Sequence, residues 1–388
     1  MKRLLNILFV LLCISSVYAQ NESIRVGAES TDEYFPLLEG KRIAVLSNHT
    51  GMIGEEHLVD VLVRNKVNVV AIFSPEHGFR GNADAGEHVA STTDKKTGIP
   101  IKSLYDGRDR KPSVASMNMF DVLVFDIQDV GLRFYTYYIT MVRMMDACAE
   151  YNKKMIVLDR PNPNGHYVDG PILDMKHKSG IGWLPIPVVH GMTLGELALM
   201  ANGEKWLPNS RQCDLTIIKC KNYTHKSLYQ LPIAPSPNLP NMKSVYLYPS
   251  TCLFEGTVLS LGRGTSFPFQ VYGHPRMRGY TFSFTPRSIS GAKNPPLLNR
   301  KCYGVDLRNV ADEKIFTKGF DLSHVISAYK NMKMGNKFFT QSFERLVGVD
   351  YIRTMINAGK SADEIKEMWQ GDVAKFKEQR KPYLLYEE

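Results

Sequence analysis

Seven short β-rich apolar runs recur between positions 42 and 220, at Arg42–Ser47, Asn68–Ser74, Ile101–Tyr105, Asp121–Asp126, Lys154–Asp159, Ile186–Val189 and Leu215–Cys220. Helical patterns separate several of them. Glu55–Asn65 places Leu58, Val59, Leu62 and Val63 on one face, Tyr137–Tyr151 carries an apolar stripe, and Thr193–Ala201 opens with a Thr-x-x-Glu capping box formed by Thr193 and Glu196. Strands alternating with helices predict an α/β fold built on a doubly wound parallel sheet. The runs Val122–Phe125 and Met155–Leu158 are apolar at every position, as strands covered by helices on both faces should be.

Beyond about Pro232 the texture changes. Pro235, Pro237, Pro240 and Pro249 suggest turns, short β-like segments follow, and helical patterns run from Ser323 to Asn331 and from Ala362 to Gln379. This predicts a second, smaller α+β domain over 240–388, after an α/β domain over 20–239. The first 19 residues read as a signal peptide: Lys2 and Arg3, an apolar stretch from Leu4 to Ile14, then Val17-Tyr18-Ala19 before the cleavage point. Export follows as an expectation, to the periplasm or the medium, with a mature chain starting at Gln20.

Composition narrows the field. With 44% hydrophobic and 22% charged residues, and 29 Gly and 21 Pro in no period, the chain is neither disordered nor fibrous. No apolar run past the N-terminus approaches membrane length, so no membrane span is expected. The formal charge is +9, or +7 without Lys2 and Arg3, which favours an anionic partner. For an exported chain that partner is a wall polymer or lipid head group rather than nucleic acid. Five cysteines remain after position 19, an odd number that excludes a full disulfide framework, and none is spaced for a metal. His49, His77, His88 and His190 lack ligand spacing as well, so neither metal nor cofactor is expected.

The polar residues cluster just after the strands: Ser47-Asn48-His49-Thr50-Gly51, Ser74 to Gly81, Asp126-Ile127-Gln128-Asp129 and Asp159 to Gly165. In an open parallel sheet the carboxyl ends of strands line one crevice, so these segments should converge on a site. Dinucleotide, nucleotide triphosphate, zincin and hydrolase-elbow motifs are missing. Glu76, beside His77 and Arg80, has the setting of a general acid, or alternatively of a carboxylate that braces its loop. Asp126 fits a second carboxylate, a group orienting a substrate amide, or a turn cap shared with Asp129. Arg133, Tyr135, Tyr137 and Tyr138 form a cationic and aromatic patch suited to sugar rings or a carboxylate, although tyrosines at helical spacing also build cores. The glycines of Leu261-Gly262-Arg263-Gly264-Thr265 allow an anion to approach the backbone, or simply make a turn.

Several strings are specific enough to compare. Phe73-Ser74-Pro75-Glu76-His77-Gly78-Phe79-Arg80-Gly81, Val124 to Tyr137, Leu158-Asp159-Arg160-Pro161-Asn162-Pro163, His190 to Glu196, Pro235 to Pro240, and Glu255-Gly256-Thr257 with Gly262 to Thr265 resemble the NamZ-type exo-β-N-acetylmuramidases, in order from about Arg42 to the C-terminus. The resemblance implies a Rossmann-like domain without a nucleotide, a smaller C-terminal domain, and a cleft that removes N-acetylmuramic acid from the non-reducing end of peptidoglycan fragments or muropeptides. It implies Glu76 as the catalytic carboxylate. Asp126 is the expected second catalytic group, unless the substrate's own 2-acetamido group stabilises the anomeric carbon. Asn48, His77, Arg80, Asp129, Arg133, Tyr135, Tyr137, Arg160, Asn162, Asn238, Glu255 and Arg263 are the expected substrate contacts. One of Arg133, Arg160 and Arg263 should pair with the lactyl carboxylate of muramic acid. Two rivals use the same cleft: a wall-glycan binding protein that does not cleave, and an esterase or deacetylase acting on the same sugars.

Overall fold

The computed structural model describes residues 23–75, 79, 92–104 and 111–388. Twelve strands occur among these residues: β1 (Ile43–Ser47), β2 (Met52–Ile53), β3 (Glu56–His57), β4 (Val69–Ser74), β5 (Thr92–Thr93), β6 (Pro100–Ser103), β7 (Val122–Asp126), β8 (Lys154–Leu158), β9 (Asp214–Ile218), β10 (Val271–His274), β11 (Ser283–Phe284) and β12 (Cys302–Asp306). Seven of them form the main sheet, in the order β5-β6-β4-β1-β7-β8-β9. Every pairing in it is parallel except that of the two-residue edge strand β5 with β6. The chain therefore winds outward from β1 through β4 to β6, then returns to the other side of β1 and winds through β7 and β8 to β9. That reversal puts the switch point between β1 and β7.

Alternation along the strands explains both layers. Ile43, Val45, Val122, Val124, Ile156 and Leu158 face α1 (Thr31–Leu38) and α2 (Leu58–Arg64), whose Tyr34, Leu38, Leu58, Val59 and Leu62 share their buried cluster. Ala44, Leu46, Leu123, Phe125, Met155 and Val157 point the other way, toward α4 (Tyr137–Glu150) and α5 (Leu194–Gly203), with the short α3 (Val114–Met117) beside them. The predicted capping box of α5 forms: Thr193 Oγ1 accepts from Glu196 N at 3.2 Å and Glu196 Oε2 accepts from Thr193 N at 2.9 Å.

The smaller C-terminal part holds the antiparallel sheet β10-β12-β11 and six helices: α6 (Met242–Thr251), α7 (Asp312–Lys318), α8 (Ser323–Met332), α9 (Phe343–Val347), α10 (Tyr351–Asn357) and α11 (Ala362–Arg380). Its apolar side chains, among them Phe254, Phe269, Phe320 and Trp369, join the cluster that covers the second face of the main sheet. The two parts thus share one core. The five described cysteines are buried and free. No helix among the described residues is long and apolar enough to cross a membrane.

Two expectations need correcting. Ile186–Val189 is not a strand of the sheet: Val189 makes only isolated bridges to Leu132 and Asp169. Pro185 and Pro187 remove alternate ladder donors, and the carbonyls of Ile186 and Val188 are taken by Arg133 instead. Pro249 does not mark a turn but lies in the final turn of α6, a helix the proline-rich texture concealed.

Polar hubs lock the halves together. Arg133, with no exposed surface, donates from Nη1 to the carbonyls of Pro171 and Ile186 at 2.7 and 3.0 Å, and from Nη2 to those of Leu346 and Val347 at 2.9 and 2.8 Å. Gly348 has a positive φ of 79°, and a Cβ there would meet Arg133 Nη2 at 2.5 Å, so glycine is required. Asp169 accepts from Gly170 N and Trp369 Nε1 on one oxygen, and from Phe320 N and Lys366 Nζ on the other. Replacing Arg133 by Leu leaves four buried carbonyls without these donors. The urea midpoint should then fall by the equivalent of about 3–5 kcal/mol, the cost of breaking a buried charged network. An unchanged midpoint would refute the clamp.

Candidate active site

The crevice is set by the ends of β1 and β7. Ser47 pairs in register with Asp126, and its Oγ donates to the Asp126 carbonyl at 2.8 Å. The Asp126 carboxylate, fully buried, takes Arg160 in a two-pronged pair: Nε to Oδ1 at 2.5 Å and Nη2 to Oδ2 at 3.0 Å. Arg160 Nη2 also donates to the carbonyl of Met52 at 2.9 Å. One guanidinium thus ties the ends of β7 and β8 to the β2–β3 hairpin. Burial works against the charge on Arg160, and the facing Asp126 carboxylate outweighs it, raising its pKa.

The same geometry corrects the expectation for Asp126. A carboxylate with both oxygens on one guanidinium and no exposed surface is not free to attack or stabilise a sugar carbon. Arg160 is likewise engaged, its side chain only 6% exposed. Arg133 is used in the clamp described above and has no surface for a substrate carboxylate. Asn162 is spent on the backbone: Nδ2 donates to Met192 O at 2.9 Å and Oδ1 accepts from Asn164 N at 2.8 Å, with Gly131 packed so closely that a Cβ there would come within 2.2 Å.

Around this pair a short relay joins the two strand ends. Asn48 Oδ1 accepts from Thr50 N at 2.9 Å and Thr50 Oγ1 at 2.6 Å, and Thr50 Oγ1 accepts from Gln128 N at 3.0 Å. Gln128 Nε2 donates to the carbonyls of Asp129 and Pro161, both at 2.8 Å. Asp129 Oδ1 accepts from Gly131 N at 2.6 Å, while its buried Oδ2 has no partner. Burial pushes the Asp129 carboxyl up to about 7, against the pull of the Gly131 and Val130 N–H groups.

An aromatic wall continues from these loops into the C-terminal part. Tyr135 Oη donates to Pro235 O at 2.8 Å, and its ring meets Tyr137 edge-on at 5.1 Å and Tyr248 at 6.2 Å. Tyr248 packs on Phe269 at 4.6 Å, and the Arg263 guanidinium lies 5.0 Å from that ring while donating to Glu255 Oε1 at 2.7 Å. With its side chain 22% exposed, Arg263 is the most accessible of the three candidate arginines. Asn238 donates from Nδ2 to Gly291 O at 2.9 Å. Glu76, His77 and Arg80 lie outside the described residues. Their described neighbours include Ser74, the last residue of β4, Pro75, and Phe79, whose ring packs on His57 at 4.7 Å. Among the described residues no group of three His, Cys, Asp or Glu side chains could hold a metal ion.

Sequence reasoning missed Tyr248 and gave Asp159 no role of its own. Tyr248 sits on the unanticipated helix α6. Asp159, at the end of β8, accepts from Thr193 Oγ1 at 2.6 Å, Gly195 N at 2.8 Å and Tyr386 Oη at 2.7 Å, and burial raises its carboxyl to about 6. The strand-end position of Asp159 was a usable signal; its partner Tyr386, 227 residues later, was not.

Comparison with known proteins agrees with this architecture. Residues 43–243 match the family described as exo-β-N-acetylmuramidase NamZ, N-terminal, and residues 246–386 match its C-terminal counterpart. The peptidoglycan β-N-acetylmuramidase NamZ of Bacillus subtilis (strain 168) is 38% identical, over 95% of this chain and 92% of its own. Two crystal structures of DUF1343 family proteins from Bacteroides fragilis NCTC 9343 superpose on it. One is 66% identical, with a TM-score of 0.90 and coverage of 95% of this chain and 100% of that one. The other is 30% identical, with a TM-score of 0.79 and coverage of 94% and 99%. The chain is thus a glycoside hydrolase. It belongs to the exo-β-N-acetylmuramidase NamZ family.

The raised carboxyl of Asp129 has a thermodynamic signature. An unfolded aspartate ionises near pH 4 (~3.9), whereas the folded form holds its proton to about 7, so the native state binds more protons between those values and stability falls as pH rises through them. Asp129→Asn keeps an oxygen for the Gly131 N–H and removes the ionisation. Its stability relative to wild type, from urea unfolding, should increase between pH 4 and 7 and level off above. A difference independent of pH would contradict the buried-carboxyl assignment.

Proposed function

We propose that the protein is an exo-acting glycosidase that releases terminal β-linked N-acetylmuramic acid from the non-reducing end of peptidoglycan fragments. The observation that carries this reading is the convergence of the polar loops after β1, β7 and β8 at the switch point, tied together by the Asp126–Arg160 pair, in a chain of the NamZ family. Glu76, two positions after the end of β4 in the sequence, is the proposed general acid that protonates the glycosidic oxygen as the sugar becomes oxocarbenium-like. His77 and Arg80 of the same string are proposed to contact the substrate. With Asp126 committed to Arg160, stabilisation of the anomeric carbon falls to the substrate's own 2-acetamido group. Asp126 then contributes by fixing the loops after β7 and β8.

Arg263, held by Glu255 and with surface to spare, is the arginine best placed for the lactyl carboxylate, a guanidinium fork being suited to a carboxylate. Asn238 and Glu255 complete that side of the cleft. We further propose that the chain works outside the plasma membrane after loss of residues 1–19, where its net charge of +7 suits an anionic wall polymer.

The test is hydrolysis of a chromogenic β-N-acetylmuramide beside the matching β-N-acetylglucosaminide. Release is expected from the muramide alone, with Glu76→Gln losing about 10²- to 10⁴-fold in kcat/KM, the usual contribution of a general acid. Arg263→Ala should narrow the preference between the two sugars. Equal cleavage of both sugars, or a Glu76→Gln variant as active as wild type, would overturn the assignment.

A further inference from the structure

All of the excess positive charge beyond position 19 lies in one stretch of the C-terminal part. Residues 256–305 contain seven Lys or Arg and no Asp or Glu, so the net charge of +7 that remains without residues 1–19 is held there, and the rest of the chain balances. Charge kept only for solubility is spread over a surface with both signs mixed. The antiparallel sheet gathers four of these cations at one end. In β10-β12-β11 both outer strands end where β12 begins, His274 pairing with Tyr303 and Phe284 with Cys302. Arg276 follows β10, Arg287 follows β11, and Arg300 and Lys301 precede β12; all four are exposed. Arg287 Nη1 donates to Asn299 Oδ1 at 2.9 Å and Asn299 N donates to Pro286 O at 2.9 Å, which sets Arg287 beside Arg300. Arg276 N donates to His274 Nδ1 at 3.0 Å, and burial together with the charges of Arg300 and Arg276 lowers the pKa of that ring. Among the described residues none of the four has a carboxylate partner, and the acids that flank the stretch, Glu255 and Asp306, are taken by Arg263 and Arg308.

This end of the sheet is stitched to the proposed sugar site. Arg287 N donates to Gly264 O at 2.8 Å, one residue from Arg263, and a Cβ on Gly264 would meet the Arg287 carbonyl oxygen at 2.4 Å. Asn238 Nδ2 reaches the carbonyl of Gly291, in the same β11–β12 connection, at 2.9 Å. A cluster of exposed cations without acidic partners fits an anion, and guanidinium forks fit carboxylates. A peptidoglycan strand repeats carboxylates along its length, on its lactyl groups or, where these are amidated, on its stem peptides. We propose that Arg276, Arg287, Arg300 and Lys301 hold the carboxylates of the substrate strand beyond the bond that is cut, so that longer fragments bind better than the shortest. The inference rests on the glycosidase reading and adds a second binding region to it. Each contact is exposed and screened by salt, so the affinity comes from several acting together.

The experiment compares hydrolysis of three fragments that all begin with N-acetylmuramic acid: its disaccharide with N-acetylglucosamine, the tetrasaccharide of two such units, and that tetrasaccharide with a stem peptide on its inner muramic acid. The disaccharide has no carboxylate beyond the cut bond. In Arg276→Glu/Arg300→Glu the KM for a tetrasaccharide should rise about tenfold at unchanged kcat while the disaccharide stays within about twofold, the scale of a few exposed ion pairs. A rise already on the bare tetrasaccharide assigns the surface to lactyl carboxylates, and a rise only with the peptide assigns it to the stem; either supports the proposal. If the variant fails to fold, wild type still decides. Raising salt from about 0.05 to about 0.5 M should weaken the tetrasaccharides selectively, because the Arg263 contact is common to all three fragments. Equal change for all three, or no change for any, would overturn the proposal. So would a variant that loses binding to phosphatidylglycerol vesicles with glycan cleavage unaltered, the signature of a membrane-facing surface. Failure of the glycosidase reading looks different: wild type releases sugar from none of the three, and calorimetric binding of the same fragments then shows whether the variant loses the tetrasaccharides alone.

Discussion

The buried ion pair between Asp126 and Arg160 is the interaction on which the rest of the site depends. Removing two charges from water is costly, and their attraction repays that cost only when geometry is good and further hydrogen bonds are satisfied. Here both carboxylate oxygens are used, a spare N–H reaches Met52, and Ser47 fastens the Asp126 backbone to β1. Three segments distant in sequence are thereby held at one point: the end of β7, the start of the loop after β8, and the β2–β3 hairpin. An apolar pair of equal volume could fill the space but would not fix the direction of the two loops, and the crevice is made of those loops.

Around that point the fold is tied by backbone-directed polar groups rather than by exposed salt bridges. Arg133 gathers carbonyls from both parts of the molecule, and Asp169 gathers donors from the residue after it, from the connection between α7 and α8 and from α11. The C-terminal tail returns to the first part, where Tyr386 reaches Asp159 and Leu385 N donates to Glu196 Oε1 at 2.8 Å. The C-terminal part is therefore anchored on the sheet by buried contacts of high sequence separation, and the aromatic wall from Tyr135 through Tyr248 to Arg263 inherits that fixed geometry. A rigid floor and a rigid wall suit a site that must distinguish sugars by single substituents.

The sheet was legible because its signal is local. Apolar runs such as Val122–Phe125 are buried on both faces, and the capping box of Thr193 and Glu196 writes a helix start into four residues. Convergence of strand-end loops was legible too, because parallel winding forces it. What the sequence concealed was which polar residues face the substrate and which hold the fold. Arg133 and Asn162 sit in polar strings beside the site, yet carbonyls from residues up to 214 positions away consume Arg133. Asp126 read as a catalytic carboxylate because nothing in its own string shows that Arg160, 34 residues on, occupies both oxygens. Pro185, just before Ile186–Val189, and Pro187 within it were the visible warning against a strand there. Pro249 misled in the opposite direction, because a proline in the last turn of a helix looks like a turn.

The most direct test of this account is a crystal structure of the protein with N-acetylmuramic acid bound. The sugar should lie beyond the carboxyl ends of β1 and β7, against Tyr135 and Tyr248, with the Asp126–Arg160 pair intact beneath it. A sugar bound elsewhere, or one whose binding breaks that pair to contact Asp126 directly, would contradict the account.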